Sequence, residues 1–154
     1  MLSIKNVSFN YKEKKILSSI SIFVKKGDCL SVVGGSGSGK STLLKLIYGK
    51  MDVCSGVISW NGQSVLGPKN KLVVGHDFMK YVSQEFDLMP YISVAENIGA
   101  YLSNFFPEKK QTRINELLKV VELEAFSNTK VKFLSGGQKQ RVALARAIAK
   151  QPEI

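Results

Sequence analysis

The sequence predicts an α/β fold, and three observations lead to this prediction. Two segments, residues 2–11 and 16–28, alternate in part between apolar and polar residues, which is typical of strands with one buried side. A short apolar run, residues 29–33, leads into a glycine-rich segment and then into an apolar helical pattern. The middle and the end of the chain carry apolar residues at helical spacing. With 154 residues, 44% of them hydrophobic, the chain can form a core of domain size.

All of the predicted strands lie within residues 1–84. Residues 2–11 and the segment that begins at Ile16 both alternate, and in the second one Ile20, Ile22 and Val24 share a face. Residues 56–65 predict a hairpin, because Asn61-Gly62 is a strong two-residue turn signal. Two further short strands are predicted, at residues 29–33 (CLSVV) and 79–84 (MKYVSQ).

Four helices are predicted. They cover residues 43–50, ending near Gly49, then 93–105, then 112–123, and finally a segment that begins at Ser135. In the third helix an apolar stripe at i, i+3, i+4 and i+7 is formed by Ile114, Leu117, Leu118 and Val121. The last helix is expected to point Val142, Leu144, Ala145, Ile148 and Ala149 inward. Ile154, after Pro152, resembles the first apolar residue of another strand.

The composition and charge limit which classes of binding partner are expected. The net charge of +10 indicates an anionic partner, a nucleotide, a nucleic acid or a membrane surface, unless the rest of a longer chain balances it. The basic residues are scattered and not interleaved with aromatics, so no nucleic acid is expected. Cys29 and Cys54 have no metal or redox spacing and are expected to be reduced. No membrane span or signal peptide is evident, which predicts a cytosolic protein.

The glycine-rich segment "GGSGSGKS" fits the phosphate-loop pattern, between a predicted strand and a predicted helix. Glycines leave the backbone N–H groups open to a polyphosphate, and the helix, taken to start at Lys40, adds its positive dipole. Lys40 is placed to reach the outer phosphates, and the Ser41 hydroxyl suits Mg²⁺. The predicted phosphate contacts are Gly34, Gly35, Ser36, Gly37, Ser38, Gly39, Lys40, Ser41 and Thr42. A flexible Gly/Ser turn is the alternative, and the agreement of strand, motif and helix disfavours it.

The segment "LSGGQ", residues 134–138, is a second anion-binding design at a helix start. Ser135 offers an N-cap hydroxyl, and Gly136 and Gly137 leave the backbone open next to the positive end of the helix. Taken alone, a capped helix with a glycine-rich turn is the simpler interpretation.

Over essentially its whole length the chain resembles the ATP-binding subunit of ABC transporters. "GGSGSGKST" is similar to the Walker A motif of that family, with Gly35 where proline is common. "YVSQEFDLMPYISVAENI" resembles the Q-loop region, with Gln84 as its glutamine. "LSGGQKQRVALARAIAKQPEI" is similar to the family signature, formed here by Leu134, Ser135, Gly136, Gly137 and Gln138. Tyr11 stands where the family carries an aromatic that stacks on adenine; taken alone it fits an exposed aromatic in a turn equally well, and the match in placement favours the stacking role.

The resemblance implies a P-loop NTPase fold, a RecA-like core with an antiparallel β subdomain and an inserted α-helical subdomain, C-terminally incomplete. It implies boundaries at residues 1–85 for the β and phosphate-loop part, 86–133 for the helical subdomain and 134–154 for the signature and its helix. The helical subdomain would dock on transmembrane transporter subunits, and the protein would be cytoplasmic and peripheral on the inner face of the cell membrane.

For the site, the resemblance implies ATP and Mg²⁺ as cofactors, held in a head-to-tail dimer with a second ATP-binding subunit. Each ATP would lie between Walker A of one subunit and the signature of the other. Lys40 and Gln84 would be catalytic, and Ser41 and Gln84 would contact Mg²⁺.

The acidic Walker B pair and the switch histidine of the family are not found in the sequence, and His76 precedes Gln84. We therefore expect the N-terminal part of an ABC ATPase that does not hydrolyse ATP by itself. A soluble ABC-type ATPase acting on nucleic acid or ribosomes, and a non-hydrolysing nucleotide-binding module, remain as alternatives. The sequence does not indicate the cargo or the direction of transport.

Overall fold

The computed structural model describes residues 1–154, which divide into two compact units, 1–76 and 77–154. The first unit holds four strands and one helix: β1 (Leu2–Tyr11), β2 (Lys14–Val24), α1 (Lys40–Ile47), β3 (Ser55–Trp60) and β4 (Gln63–Ser64). The second holds α2 (Val94–Gly99), α3 (Pro107–Val120) and α4 (Gly136–Ile148), with short 3₁₀ helices at Glu124–Phe126 and Val131–Phe133. The finer division at residues 85 and 133 stays a prediction.

The sheet of the first unit is antiparallel, in the order β2-β1-β3-β4. The alternation predicted for β2 is confirmed, since Ile20, Ile22 and Val24 are half-buried, whereas Ser21 and Phe23 between them are exposed. The predicted hairpin is also confirmed. Asn61 and Gly62 link β3 to β4 with φ angles of 48° and 84°, which is the backbone that a two-residue hairpin turn requires.

The strands predicted at residues 29–33 and 79–84 are wrong. Neither segment has regular secondary structure, and Val33 is 88% exposed. A buried parallel strand needs hydrogen-bonded neighbours, and no strand of the sheet pairs with residues 29–33. In the second unit a parallel pairing only begins: the N–H of Ile154 donates to the carbonyl of Phe78 (3.0 Å), and the N–H of Lys80 donates to the carbonyl of Ile154 (2.9 Å).

The second unit is built around one apolar cluster. Its buried members are Val94, Ile98, Ile114, Leu117, Leu118, Val121, Leu123, Val131, Leu134, Val142, Ala145 and Ala149. The apolar stripe predicted for the third helix, α3, is therefore confirmed. This helix begins at Pro107, earlier than predicted, because proline has the φ angle of a helix start and needs no N–H there. The helix α2 is shorter than the predicted 93–105 and ends at Gly99.

The inward direction predicted for Leu144 and Ile148 is wrong, since they are 46% and 42% exposed. The helix α4 and its C-cap contribute three buried residues to the cluster, at i, i+3 and i+7 on one face: Val142, Ala145 and the C-cap Ala149. Within this unit α4 packs against α2 and α3, so only a narrow stripe is covered. No helix combines the length and the apolarity that a membrane crossing needs. Both cysteines are free thiols, as predicted.

Candidate functional site

The start of α1 explains one glycine of the phosphate loop, residues 34–42. Gly39 is the N-cap of α1 and has a φ of 94°, in the left-handed region that favours glycine. A Cβ atom at this position would lie 3.0 Å from Cδ2 of Leu17 and 3.1 Å from Cγ2 of Ile16. The start of the helix thus packs directly against β2, and both the backbone angle and the space select glycine.

No side chain caps α1. Gly39 has no side chain, and the first turn contains no acidic residue. The N–H of Leu43 donates to the carbonyl of Gly39 (2.8 Å), which starts the intrahelical hydrogen bonds. The first N–H groups of a helix have no intrahelical acceptor, and they carry the positive end of the helix dipole. The loop therefore presents an uncapped helix start, which suits an anion.

Lys40 is the first residue of α1, and its side chain turns back onto the loop that precedes the helix. Its ammonium donates to the carbonyl oxygens of Gly34 (2.8 Å) and Gly35 (2.7 Å), and lies 3.4 Å from Oγ of Ser38. Lys40 forms no ion pair with a carboxylate, and its ammonium contacts backbone carbonyls and a hydroxyl. A half-buried cation without a carboxylate partner is available to a phosphate.

A cavity of about 220 Å³ brings several predicted residues together. It is lined by Tyr11, Ile16, Gly37, Gly39, Lys40, Ser41 and Thr42. Tyr11 ends β1, packs edge-to-face on Phe9 (ring centroids 4.9 Å apart) and lies with its hydroxyl 3.5 Å from Sδ of Met51. The side chain is 48% exposed, so the ring can receive a planar ligand beside the loop. The sequence did not indicate Ile16 as part of this wall.

Gln84 belongs to the second unit and lies in a turn, residues 83–86, closed by a hydrogen bond from the N–H of Phe86 to the carbonyl of Ser83 (3.1 Å). We call it the Gln84 turn. Gln84 and Glu85 are exposed, and the two residues that flank them are half-buried. Phe86 and Asp87 both have left-handed φ angles, and Arg146 of α4 donates to both of their carbonyls. No spacing in the sequence indicated Arg146.

The signature segment, residues 134–138, forms the start of α4. Ser135 is the N-cap: its hydroxyl accepts from the N–H of Gln138 (3.3 Å), and its own N–H donates to Oε1 of Gln138 (2.9 Å). This reciprocal capping box fixes the first turn. Leu134 is buried in the cluster, whereas Ser135, Gly136 and Gly137 are exposed. Gln138 therefore has a capping role in its own unit, and its contact with a partner's ATP stays a prediction.

The residues present fit Mg²⁺ only in a limited way. No group of three or more His, Cys, Asp or Glu residues is placed to hold a metal. Mg²⁺ commonly arrives with substrate phosphates and takes few protein oxygens. The Ser41 hydroxyl, exposed at the start of α1, is one such oxygen beside the cavity. The residues beside the cavity therefore suit a Mg²⁺ ion that binds together with a polyphosphate.

The sequence profile of the ABC transporter family matches residues 17–154. Among curated proteins, the spermidine/putrescine import ATP-binding protein PotA of Thermotoga maritima is 40% identical over 99% of this chain. The chain spans 41% of the length of that relative, or about two fifths.

Solved structures agree with the sequence match. The ATP-binding cassette MJ0796, as a dimer bound to ADP and Pi, is 33% identical and superposes with a TM-score of 0.85, covering 99% of this chain and 71% of that one. The protein cbiO1 of Clostridium perfringens, part of the ABC transporter complex cbiONQ, is 26% identical with a TM-score of 0.82, over 98% and 62% of the two chains. These relatives have the P-loop NTPase fold that the sequence predicts. The chain belongs to the ABC transporter family, as a nucleotide-binding domain.

Proposed function

We propose that the chain is the ATP-binding, energy-coupling part of an ABC membrane transporter. It binds MgATP at the phosphate loop and, through residues 134–138, the ATP of a partner subunit. The observation that carries the proposal is the cavity where Tyr11, Lys40 and Ser41 meet beside the uncapped start of α1. An aromatic ring, a cation, a hydroxyl and a helix dipole are what a base, a triphosphate and its metal require.

The residues of the loop bind and orient the nucleotide. Adenine stacks on the exposed ring of Tyr11, and the triphosphate lies over the first N–H groups of α1. The Lys40 ammonium exchanges the carbonyls of Gly34 and Gly35 for phosphate oxygens, which are stronger acceptors because they are charged. The Ser41 hydroxyl would supply one ligand to Mg²⁺ bound with the phosphates, and the ion would neutralise part of their charge.

The signature segment serves a second subunit. Ser135, Gly136 and Gly137 are exposed at the positive end of α4, and the capping box holds them in one conformation. We infer a head-to-tail dimer in which this helix start meets the phosphate of the partner's ATP. The dimeric state of MJ0796 with ADP and Pi supports this inference. Docking on transmembrane subunits through residues 86–133, at the inner face of the membrane, belongs to the same proposal.

Hydrolysis requires more than the loop. Phosphoryl transfer depends mainly on positioning and on charge stabilisation, to which Lys40 and Gln84 contribute here. The acidic pair that the family carries beyond the signature helix is not among residues 1–154. We expect the 154-residue polypeptide alone to bind nucleotide without turnover. The names of PotA and of the cbiONQ complex support a transport role.

A soluble ABC-type ATPase that acts on nucleic acid or ribosomes is a second candidate, which the net charge of +10 favours. The full-length gene product decides between the two. Calorimetry should detect MgATP binding, and purification from detergent-solubilised membranes should recover transmembrane subunits. Recovery with ribosomes or RNA would support the second candidate, and a wild-type protein that binds no ATP would contradict both.

A further inference from the structure

We propose that Arg146 is a positioning residue, which fixes the Gln84 turn to the helix that presents Ser135. The inference rests on the proposed function, since it concerns the role of Gln84 in ATP hydrolysis. Both residues and the turn lie in the second compact unit. The side chain of Arg146, in the last turn of α4, determines the backbone conformation at Phe86 and Asp87, two and three residues after Gln84.

The contact is bidentate. One terminal nitrogen of Arg146 donates to the carbonyl of Phe86 (2.8 Å), and the other donates to the carbonyl of Asp87 (2.9 Å). A planar guanidinium matches two neighbouring acceptors, and a lysine ammonium does not reproduce this geometry. The ring of Tyr101 lies 5.7 Å from Cζ of Arg146, within the range of a cation–π contact. Arg146 is thus restricted on two sides.

The two acceptors are in an uncommon conformation. Phe86 has a φ of 66° and Asp87 a φ of 49°, in the left-handed region that side chains disfavour. Such residues persist when their surroundings hold them, and they often mark functional sites. The hydrogen bonds from Arg146 require both carbonyls to point the same way, so they favour this backbone over the ordinary one. Gln84 lies only two residues before Phe86.

A second attachment holds the other end of the same segment. Asn97 of α2 is fully buried; its Oδ1 accepts from the N–H of Met89 (2.9 Å), and its Nδ2 donates to the carbonyls of Met89 (2.9 Å) and Ser93 (3.0 Å). Residues 86–93 are therefore fixed by α4 at their beginning and by α2 at their end. The Gln84 turn is thus attached to α4 through Arg146, while the far end of the segment is attached to α2 through Asn97.

The helix α4 connects the two functional elements. Ser135 is its N-cap, and Arg146 lies eleven residues later, about 16 Å along the axis at the usual rise per residue. The helix is continuous over this length and is packed on one face by the apolar cluster. A ligand that shifts the first turn of α4 therefore changes the position of Arg146 and, through it, of the Gln84 turn.

A purely structural role is the competing explanation, and Arg113 provides the matched control. Arg113 of α3 donates from Nε to the carbonyl of Ala149 (3.3 Å) and from a terminal nitrogen to that of Ile148 (3.2 Å). It is half-buried like Arg146 and also bonds two consecutive backbone carbonyls of this unit. It makes no hydrogen bond to the Gln84 turn.

The test compares Arg146→Met with Arg113→Met in the full-length gene product. We expect kcat for ATP hydrolysis to fall about tenfold or more in Arg146→Met, while the KM for ATP stays within about threefold. In Arg113→Met both constants should stay within about threefold of wild type. Equal loss of kcat in the two variants, or a kcat for Arg146→Met close to wild type, would overturn the proposal.

Two further measurements keep the test decisive if Arg146→Met misfolds. Arg146→Lys retains the charge but reaches one carbonyl at a time, so its kcat should lie between wild type and Arg146→Met; a wild-type kcat in the folded lysine variant contradicts the proposal. Amide hydrogen exchange at residues 84–88 should accelerate in both Arg146 variants and not in Arg113→Met. Unchanged exchange there overturns the inference even if turnover is undetectable. Absence of ATP binding by wild type contradicts the proposed function instead.

Discussion

The ammonium of Lys40 lies 2.7 Å from the carbonyl oxygen of Gly35, five residues earlier in the chain. A second hydrogen bond, to the carbonyl of Gly34, holds the same ammonium in the loop. The lysine thus organises the backbone that is expected to surround the phosphates, in addition to supplying a charge. Removal of the side chain should therefore affect both the conformation of the loop and the positive charge beside the phosphates.

Replacing Lys40 by alanine should therefore weaken MgATP binding by the full-length gene product about tenfold or more, because a charge-assisted contact contributes ~1.5–3 kcal/mol. Lys45→Ala, in the last turn of the same helix, removes the same charge away from the loop and should leave the affinity nearly unchanged. Titration calorimetry measures both, and an unchanged affinity in Lys40→Ala would show that the lysine does not contact the phosphates.

Tyr11 should act on the base. Tyr11→Ala should weaken ATP binding by ~1–3 kcal/mol, whereas Tyr11→Trp should be tolerated because it keeps a stacking surface. Tyr11→Phe retains the ring and loses only the contact of the hydroxyl with Met51, so it should bind like wild type. Fluorescence titration with ATP and with free triphosphate separates base from phosphate contacts. Equal losses in the alanine and tryptophan variants would indicate a packing role.

A comparison of Gly39→Ala with Gly62→Ala separates the cost of a left-handed backbone angle from the cost of a steric contact made by the added methyl group. Both glycines have left-handed φ angles, 94° and 84°, which cost an alanine ~1–2 kcal/mol. Only at Gly39 would the added methyl group meet neighbours, Leu17 and Ile16, at 3.0 and 3.1 Å. Thermal unfolding should show a larger loss of stability for Gly39→Ala, together with weaker nucleotide binding. The same unfolding temperature in both variants would refute the close packing of β2 on the helix start.

Ser135→Arg should act between subunits. The larger cationic side chain should leave ATP binding by the monomer nearly normal and abolish ATP-driven dimerisation of the full-length gene product. Because the substitution also removes an N-cap worth ~1 kcal/mol, Ser93→Arg is the control: Ser93 caps α2 with the same kind of capping box. Size-exclusion chromatography with MgATP measures dimer formation by the two variants. A dimer that persists in Ser135→Arg, or is lost equally in Ser93→Arg, would contradict the head-to-tail arrangement.

Features that depend on neighbours in the chain could be predicted from the sequence alone. The Asn61-Gly62 turn, the stripe of α3 and the helix start after Gly39 each involve residues within a few positions of one another. Short-range turn angles and helical periodicity are enough to specify them. The phosphate loop and the signature segment belong to this class, and this is why the family was recognisable from the residues.

Features that depend on distant partners were decided by the tertiary structure. Residues 29–33 have the apolar pattern of a strand, but strand formation requires a hydrogen-bonded neighbour, and the sheet of the first unit offers them none. Leu144 is exposed because α2 and α3 cover only one face of α4, and Leu144 lies outside that face. Arg146 meets the carbonyls of Phe86 and Asp87 across 60 and 59 residues. No local pattern encodes such a contact, because its energy arises only when the folded chain brings the donor and the acceptors together.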